Sequence, residues 1–238
     1  MMKKQSLLVL LLAMFLVLGG CAPSASNMTA EDRAIAMLSS AGVTVTAQAM
    51  EAARTQQEEL AVLYARAGIE YDVDSDVELA HLALLHLGMG TFADDGSWTP
   101  SSSEVYAFDA EVFDIENMYA LFLQGVQAIV PEVTIAEVQE DLSGMRTGTP
   151  LAGLLGLSWD EGTRRVSFLC NGHPYEKELT NYGDWFDAAM IDYMNEVLLA
   201  EGCEHRLHVV SSDYDQLVIL IYGTQKQAHM LRVLLGAV

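Results

Sequence analysis

Hydrophobic positions recur along this chain at two spacings. From residue 29 to about 90 the spacing is helical. Thr29 followed by Asp32 is an N-cap signature, and Gly42 closes the helix it opens. A second helical stretch, 47–67, puts Leu60, Leu63, Tyr64 and Ala67 on one apolar face and stops at Gly68. Within it, Thr55-Gln56-Gln57-Glu58 has the form of a capping box and marks a candidate break. Ser75-Asp76-Val77-Glu78 is another such box, and it opens a helix to Leu87 with Gly88 as the C-terminal stop.

After the turn-rich residues 91–104 the period shortens to that of strands. Asp95-Gly96 favours a tight hairpin, and Pro100 with three serines reads as loop. Residues 105–113 are extended, 115–129 helical up to Pro131, 133–140 a strand and 142–154 a connection containing Gly, Thr and Pro. Segments 157–159 and 165–170 flank a turn at 160–163, and Asn171-Gly172 predicts a two-residue hairpin into 173–179. Asp184 caps a helix to Glu201 with the stripe Phe186, Met190, Tyr193, Met194, Val197 and Leu198, and Gly202 ends it. Residues 206–210 alternate like a strand with one wet face, and 217–221 are five apolar positions in a row, as in a central strand. Thr224-Gln225-Lys226-Gln227 boxes the start of a last helix carrying Met230, Leu231, Leu234 and Leu235.

Short hairpin links require antiparallel pairing. The order therefore predicts an α+β fold: a helical N-terminal region over 29–100, then over 101–238 a mostly antiparallel sheet covered by two helices. The boundary at 91–104 is soft and compatible with one compact unit. Composition adds two constraints. With 51% hydrophobic residues in 238, the chain can bury a substantial core. With 33 Asp+Glu against 12 Lys+Arg it lacks the basic face that nucleic-acid binding needs.

The chain starts MMKKQSLLVLLLAMFLVLGGC. Lys3 and Lys4 form a basic n-region, residues 7–18 an apolar run of twelve, and Gly19 and Gly20 supply small side chains near a cleavage point. The run is shorter than the roughly 20 residues that span a bilayer. Leu18-Gly19-Gly20-Cys21 resembles the lipobox of bacterial lipoproteins, an aliphatic residue and two small ones before a Cys. The resemblance covers the first 21 residues. It implies a lipoprotein precursor with signal peptide 1–20, cleavage between Gly20 and Cys21, a diacylglycerol on the Cys21 sulfur, and a place on the extracytoplasmic side of the cell membrane. Two acyl chains hold where one is marginal, at roughly 0.8 kcal/mol per buried CH₂. Residues 21–28 then read as the lipidated Cys and a small, polar, flexible spacer. Cleavage removes Lys3 and Lys4 and no acid, so the lipid has to hold an acidic body against an anionic leaflet.

Candidate chemistry is scattered. Cys170 and Cys203 can pair as a disulfide in an exported protein or stand as separate buried thiols. Cys170 and His173 flank a two-residue turn, and Cys203 and His205 lie two apart on a strand. The four make a candidate Cys₂His₂ zinc set, at a spacing unlike the common zinc patterns. The Cys170/His173 pair is also a candidate nucleophile and base. Asp72, Asp74 and Asp76 resemble the start of a calcium loop, but the Gly and acid that such a loop needs are replaced by Val77 and Ala83. Asp109, Glu111 and Asp114 are candidate paired acids of a glycosidase. Trp98, Tyr106, Trp159, Tyr175 and Trp185 are candidates to line a sugar or peptide groove. There is no G-x-S-x-G, H-E-x-x-H, Walker loop or G-x-G-x-x-G.

These readings converge on a membrane-anchored surface lipoprotein with a non-enzymatic binding or assembly role. Its partners are the bilayer, through Cys21, and an envelope protein or small ligand. An envelope hydrolase using Cys170/His173 or paired carboxylates is the competing reading.

Overall fold

The computed structural model of the protein describes residues 28–72, 75–93, 97–111, 115–146, 161–210 and 216–236. The signal peptide, Gly20, Cys21 and the spacer up to residue 27 lie outside these residues, as does the expected strand 157–159. Helices α1 (Ala30–Ser40), α2 (Ala47–Arg66) and α3 (Asp76–Met89) precede a short hairpin, β1 (Thr91–Phe92) and β2 (Trp98–Thr99). There follow β3 (Val105–Asp109), α4 (Met118–Ile129), β4 (Ile135–Asp141), β5 (Met145–Arg146), β6 (Glu161–Cys170) and β7 (His173–Tyr182). Helix α5 (Ala189–Ala200), β8 (Arg206–Val209), β9 (Leu217–Gly223) and α6 (Gln225–Leu234) complete the order. The fold is α+β, and its antiparallel strands divide among three sheets: β1-β2, β3-β9-β8, and a group in which β6 pairs with β4, β5 and β7.

Local signals explain many element ends. Thr29 and Thr224 form reciprocal capping boxes with Asp32 and Gln227. Ser75 Oγ accepts the Glu78 N–H at 3.2 Å. Asn171 (φ 50°) and Gly172 (φ 83°) take the two left-handed positions of a tight hairpin turn between β6 and β7.

Five expectations are corrected. Thr55 breaks nothing: its hydroxyl donates to the Glu51 carbonyl, and α2 runs unbroken from an N-cap at Thr46. That helix buries Ala49, Met50, Ala53 and Gln57, so Leu63 is 60% exposed and Tyr64 also meets solvent. Gly88 lies inside α3 rather than ending it. A Cβ there would come within 2.5 Å of the Ala107 nitrogen, so its bare backbone lets α3 rest on β3, and Gly90 (φ +66°) ends the helix instead. Residues 161–163 belong to strand β6 and not to a turn. Asp184 does not cap α5, because the Asp187 carboxylate accepts the Ala189 N–H at 2.9 Å and serves that helix start.

The sheet β3-β9-β8 has a core on each face, which its period of two sets up. Val105 and Ala107 of β3 and Ile219 and Ile221 of β9 point into an aliphatic core shared with α1, α2, α3 and α6. The alternate residues Tyr106, Leu220 and Leu207 enter a second core with α4, α5 and the β6 sheet. Helix α4 touches β3 and β4, and α5 touches β7 and β8, so these two helices form a layer between two sheets. Helix α3 is apolar on nearly every side because α1 and α2 cover one face and β3 and β9 the other. Among the described residues no helix is long and apolar enough to cross a membrane.

Candidate functional site

The end of β3 opens onto a cavity of about 380 Å³ in the aromatic core. Four chain segments build its wall. The β1-β2 hairpin brings Phe92 and Trp98, β3 brings Tyr106 and Phe108, α4 brings Phe122, and the stretch before α5 brings Phe186. Phe186 arrives there because its N–H donates to the Ala110 carbonyl at 2.8 Å and its neighbour Trp185 bridges to Glu111.

The rings hold one another. Phe186 lies 4.9 Å from Phe108 and 4.8 Å from Phe122, centroid to centroid, at tilted or edge-on angles that suit the ring quadrupoles. Trp98 Nε1 donates to the Met89 carbonyl at 2.7 Å. Gly90 makes that possible, since a Cβ there would fall 2.5 Å from Trp98 Nε1. Gly125 does the same for Tyr106, whose ring lies where a Cβ would stand. At the end of β3, Asp109 and Glu111 are the charged residues of the pocket lining among the described residues, and Asp109 Oδ1 accepts the Glu111 N–H at 2.9 Å.

Of the aromatic candidates, Trp98 and Tyr106 therefore meet at the pocket. Trp185 is 38% exposed and Tyr175 stacks on Phe168 rather than lining the pocket, while Trp159 and Asp114 lie outside the described residues. Phe108, Phe122 and Phe186 escape sequence reading because they come from three separate elements whose meeting only the tertiary fold decides.

The cysteine and histidine candidates gather near the tip of the β6-β7 hairpin. Cys170 and His173 are cross-strand partners, as the Asn171-Gly172 turn requires. Cys170 and Cys203 are both buried free thiols in the aromatic core. Burial, with Glu201 and Cys203 nearby, pushes the Cys170 thiol up to about 11, and burial also raises Cys203. A thiol so placed is almost wholly protonated at neutral pH and is a poor nucleophile. His173 is 71% exposed and its Nδ1 lies 3.0 Å from the Glu201 carboxylate rather than on sulfur. His205 lies 5.5 Å from Tyr222, ring to ring. Among the described residues no three His, Cys, Asp or Glu side chains are placed to hold a metal ion. Asp76 of the calcium-like run pairs with Arg33 at 2.6 Å, and Asp74 lies outside the described residues.

Glu201 is the hub of that hairpin cluster. It accepts from the Tyr175 hydroxyl at 2.5 Å and from Asn171 Nδ2 at 3.2 Å, besides facing His173. These hydrogen bonds, Tyr175's above all, hold the Glu201 carboxyl below its ordinary range. The network ties the hairpin tip to the C-terminal end of α5 and has a structural role.

A second buried polar group supports the pocket from below. Helix α4 has no side-chain cap of its own. Glu140 of β4 takes that part: it accepts the Tyr119 and Ala120 N–H groups, each at 2.9 Å, and pairs with Arg164 at 2.7 Å. Both side chains are buried, and the Arg164 guanidinium lies 5.5 Å from the Tyr119 ring centroid. This pins the helix start that carries Met118 and Phe122 to the pocket.

Comparison of the chain with protein-family models, with curated proteins and with solved structures gives no match in any of the three.

Proposed function

We propose that this chain is a bacterial lipoprotein, held at the extracytoplasmic face of the membrane by a diacylglyceryl Cys21, whose folded body binds a small apolar ligand in the aromatic pocket. The observation that carries the binding reading is the pocket itself. A cavity of about 380 Å³ walled by Trp98, Tyr106, Phe108, Phe122 and Phe186 has the size and lining of a small-molecule site. Its polar groups are few, as in sites where apolar contact supplies affinity and one or two polar groups fix orientation. The Cys21 lipobox supports the anchor, and the spacer to residue 28 supports a body free to meet its ligand above the bilayer.

The cysteines take no catalytic part in this reading, because burial keeps Cys170 protonated and His173 is engaged by Glu201. Cell fractionation and mass spectrometry test the anchor. The wild-type chain is expected in the membrane fraction, starting at Cys21 with an acylated mass, and Cys21→Ser is expected to abolish acylation. An unacylated wild-type chain would contradict the proposal.

A further inference from the structure

We infer that the aromatic pocket selects a hydrophobic ammonium, a ligand with an apolar body and a positively charged head. This rests on the pocket being a ligand site. Among the described residues, the charged residues of its lining are Asp109 and Glu111, and the lining contains no Lys or Arg. Both acids are half-buried, and among the described residues neither takes part in a salt bridge. The Glu111 N–H donates to Asp109 Oδ1 at 2.9 Å, which holds the two acidic residues together at the end of β3.

Three effects then act in one direction. The carboxylates attract a cation in a partly desolvated setting, where charge counts for more than in water. Aromatic rings have negative faces, and a lining that holds Trp98, Tyr106 and Phe108 favours a cation again. The whole chain's net charge of -21, which loss of Lys3 and Lys4 makes more negative, draws cations toward the body and turns anions away. A neutral apolar molecule gains the ring contacts alone. An anion meets repulsion from all three sources.

Phenyltrimethylammonium and tert-butylbenzene share one shape and differ by a single charge. Both are titrated against the full-length lipidated protein in phosphatidylcholine nanodiscs, with empty nanodiscs as the blank. The cation is expected to bind about tenfold more tightly at low salt, and the preference is expected to shrink as ionic strength rises. Asp109→Asn with Glu111→Gln is expected to remove most of the cation's advantage, leaving the smaller share due to the rings and the net charge, while the affinity for tert-butylbenzene stays unchanged. Glu111→Gln alone is expected to give part of that loss. Equal binding of the two probes by the wild type, or a preference left undiminished by both substitutions, overturns charge selection by these acids while the pocket remains a binding site. Absence of binding by either probe overturns the ligand site as well.

Discussion

On one face of β3-β9-β8 the core is Ala, Leu, Ile and Val with Met50, and among the described residues it contains no aromatic side chain. On the other face the same strands meet Tyr106, Tyr119, Phe122, Phe168 and Phe186, both cysteines and the buried Arg164–Glu140 pair. The strands are shared, so the difference comes from which residues alternate onto each side. Small side chains, with Gly88 at the closest approach, let α3 lie directly on β3. Rigid rings meeting edge to face stand between β3, α4 and the segment before α5, and the pocket opens among them. The aliphatic side supplies stability through close packing, and the aromatic side supplies a concave surface with chemistry on it.

The largest effect that tests this contrast lies in the aromatic half. Arg164→Met leaves the Glu140 charge buried without its partner and is expected to cost about 3–5 kcal/mol in urea unfolding. Combining it with Glu140→Leu is expected to restore a large part of that, because the double variant buries no lone charge. A single substitution without effect would show that the pair does not hold α4 in place.

Next come two glycines that oppose the cores directly. Gly88→Ala forces a Cβ against β3 backbone, and a loss of about 1–3 kcal/mol is expected. Gly125→Ala meets the Tyr106 ring instead, which can yield into the cavity. Its cost is expected at the lower end, about 1 kcal/mol, with weaker ligand binding as the signature. The reverse order of the two losses would break the comparison.

A smaller effect follows from pH. The Glu201 carboxyl is held below its ordinary 4.5 in the folded protein. Its contribution is therefore present above the unfolded value and lost as pH falls through the lowered folded value. In acid titrations of the urea midpoint, Glu201→Gln is expected to start less stable at neutral pH and to lose less than the wild type below 4.5. Parallel curves would mean that the hairpin network contributes nothing. Smallest is Leu63→Gln. This residue is 60% exposed, so a change within about 0.5 kcal/mol is expected, where a core leucine costs several times more.

Much of the fold was legible because its signals are local. Thr29, Ser75 and Thr224 cap helices through residues three positions away, and Asn171-Gly172 carries its own backbone requirement. The misreadings fall where two elements compete for a meaning. Gly88 looks like a helix stop because glycine usually ends helices, whereas here the missing side chain serves a contact with Ala107. Thr55 looks like a cap because its hydroxyl precedes a Glu by three, yet it bonds back to Glu51 within the helix. The turn of α2 toward Ala49 and Ala53 depends on what α3 offers, which no pattern in residues 60–67 reveals. The pocket was legible only in Trp98, Tyr106 and the acids 109 and 111. Its remaining rings are ordinary core residues until the chain folds.

Methionine methyl NMR tests the pocket most directly, because methionines mark both halves. Met89 and Met118 line the cavity, Met50 lies in the aliphatic core, and Met190 and Met194 lie in the aromatic core outside the lining. Titrating methyl-labelled protein with phenyltrimethylammonium is expected to shift Met89 and Met118, saturably, and to leave Met50, Met190 and Met194 in place. Unmoved Met89 and Met118 signals, or shifts spread equally over all five, would contradict a ligand site in the aromatic half.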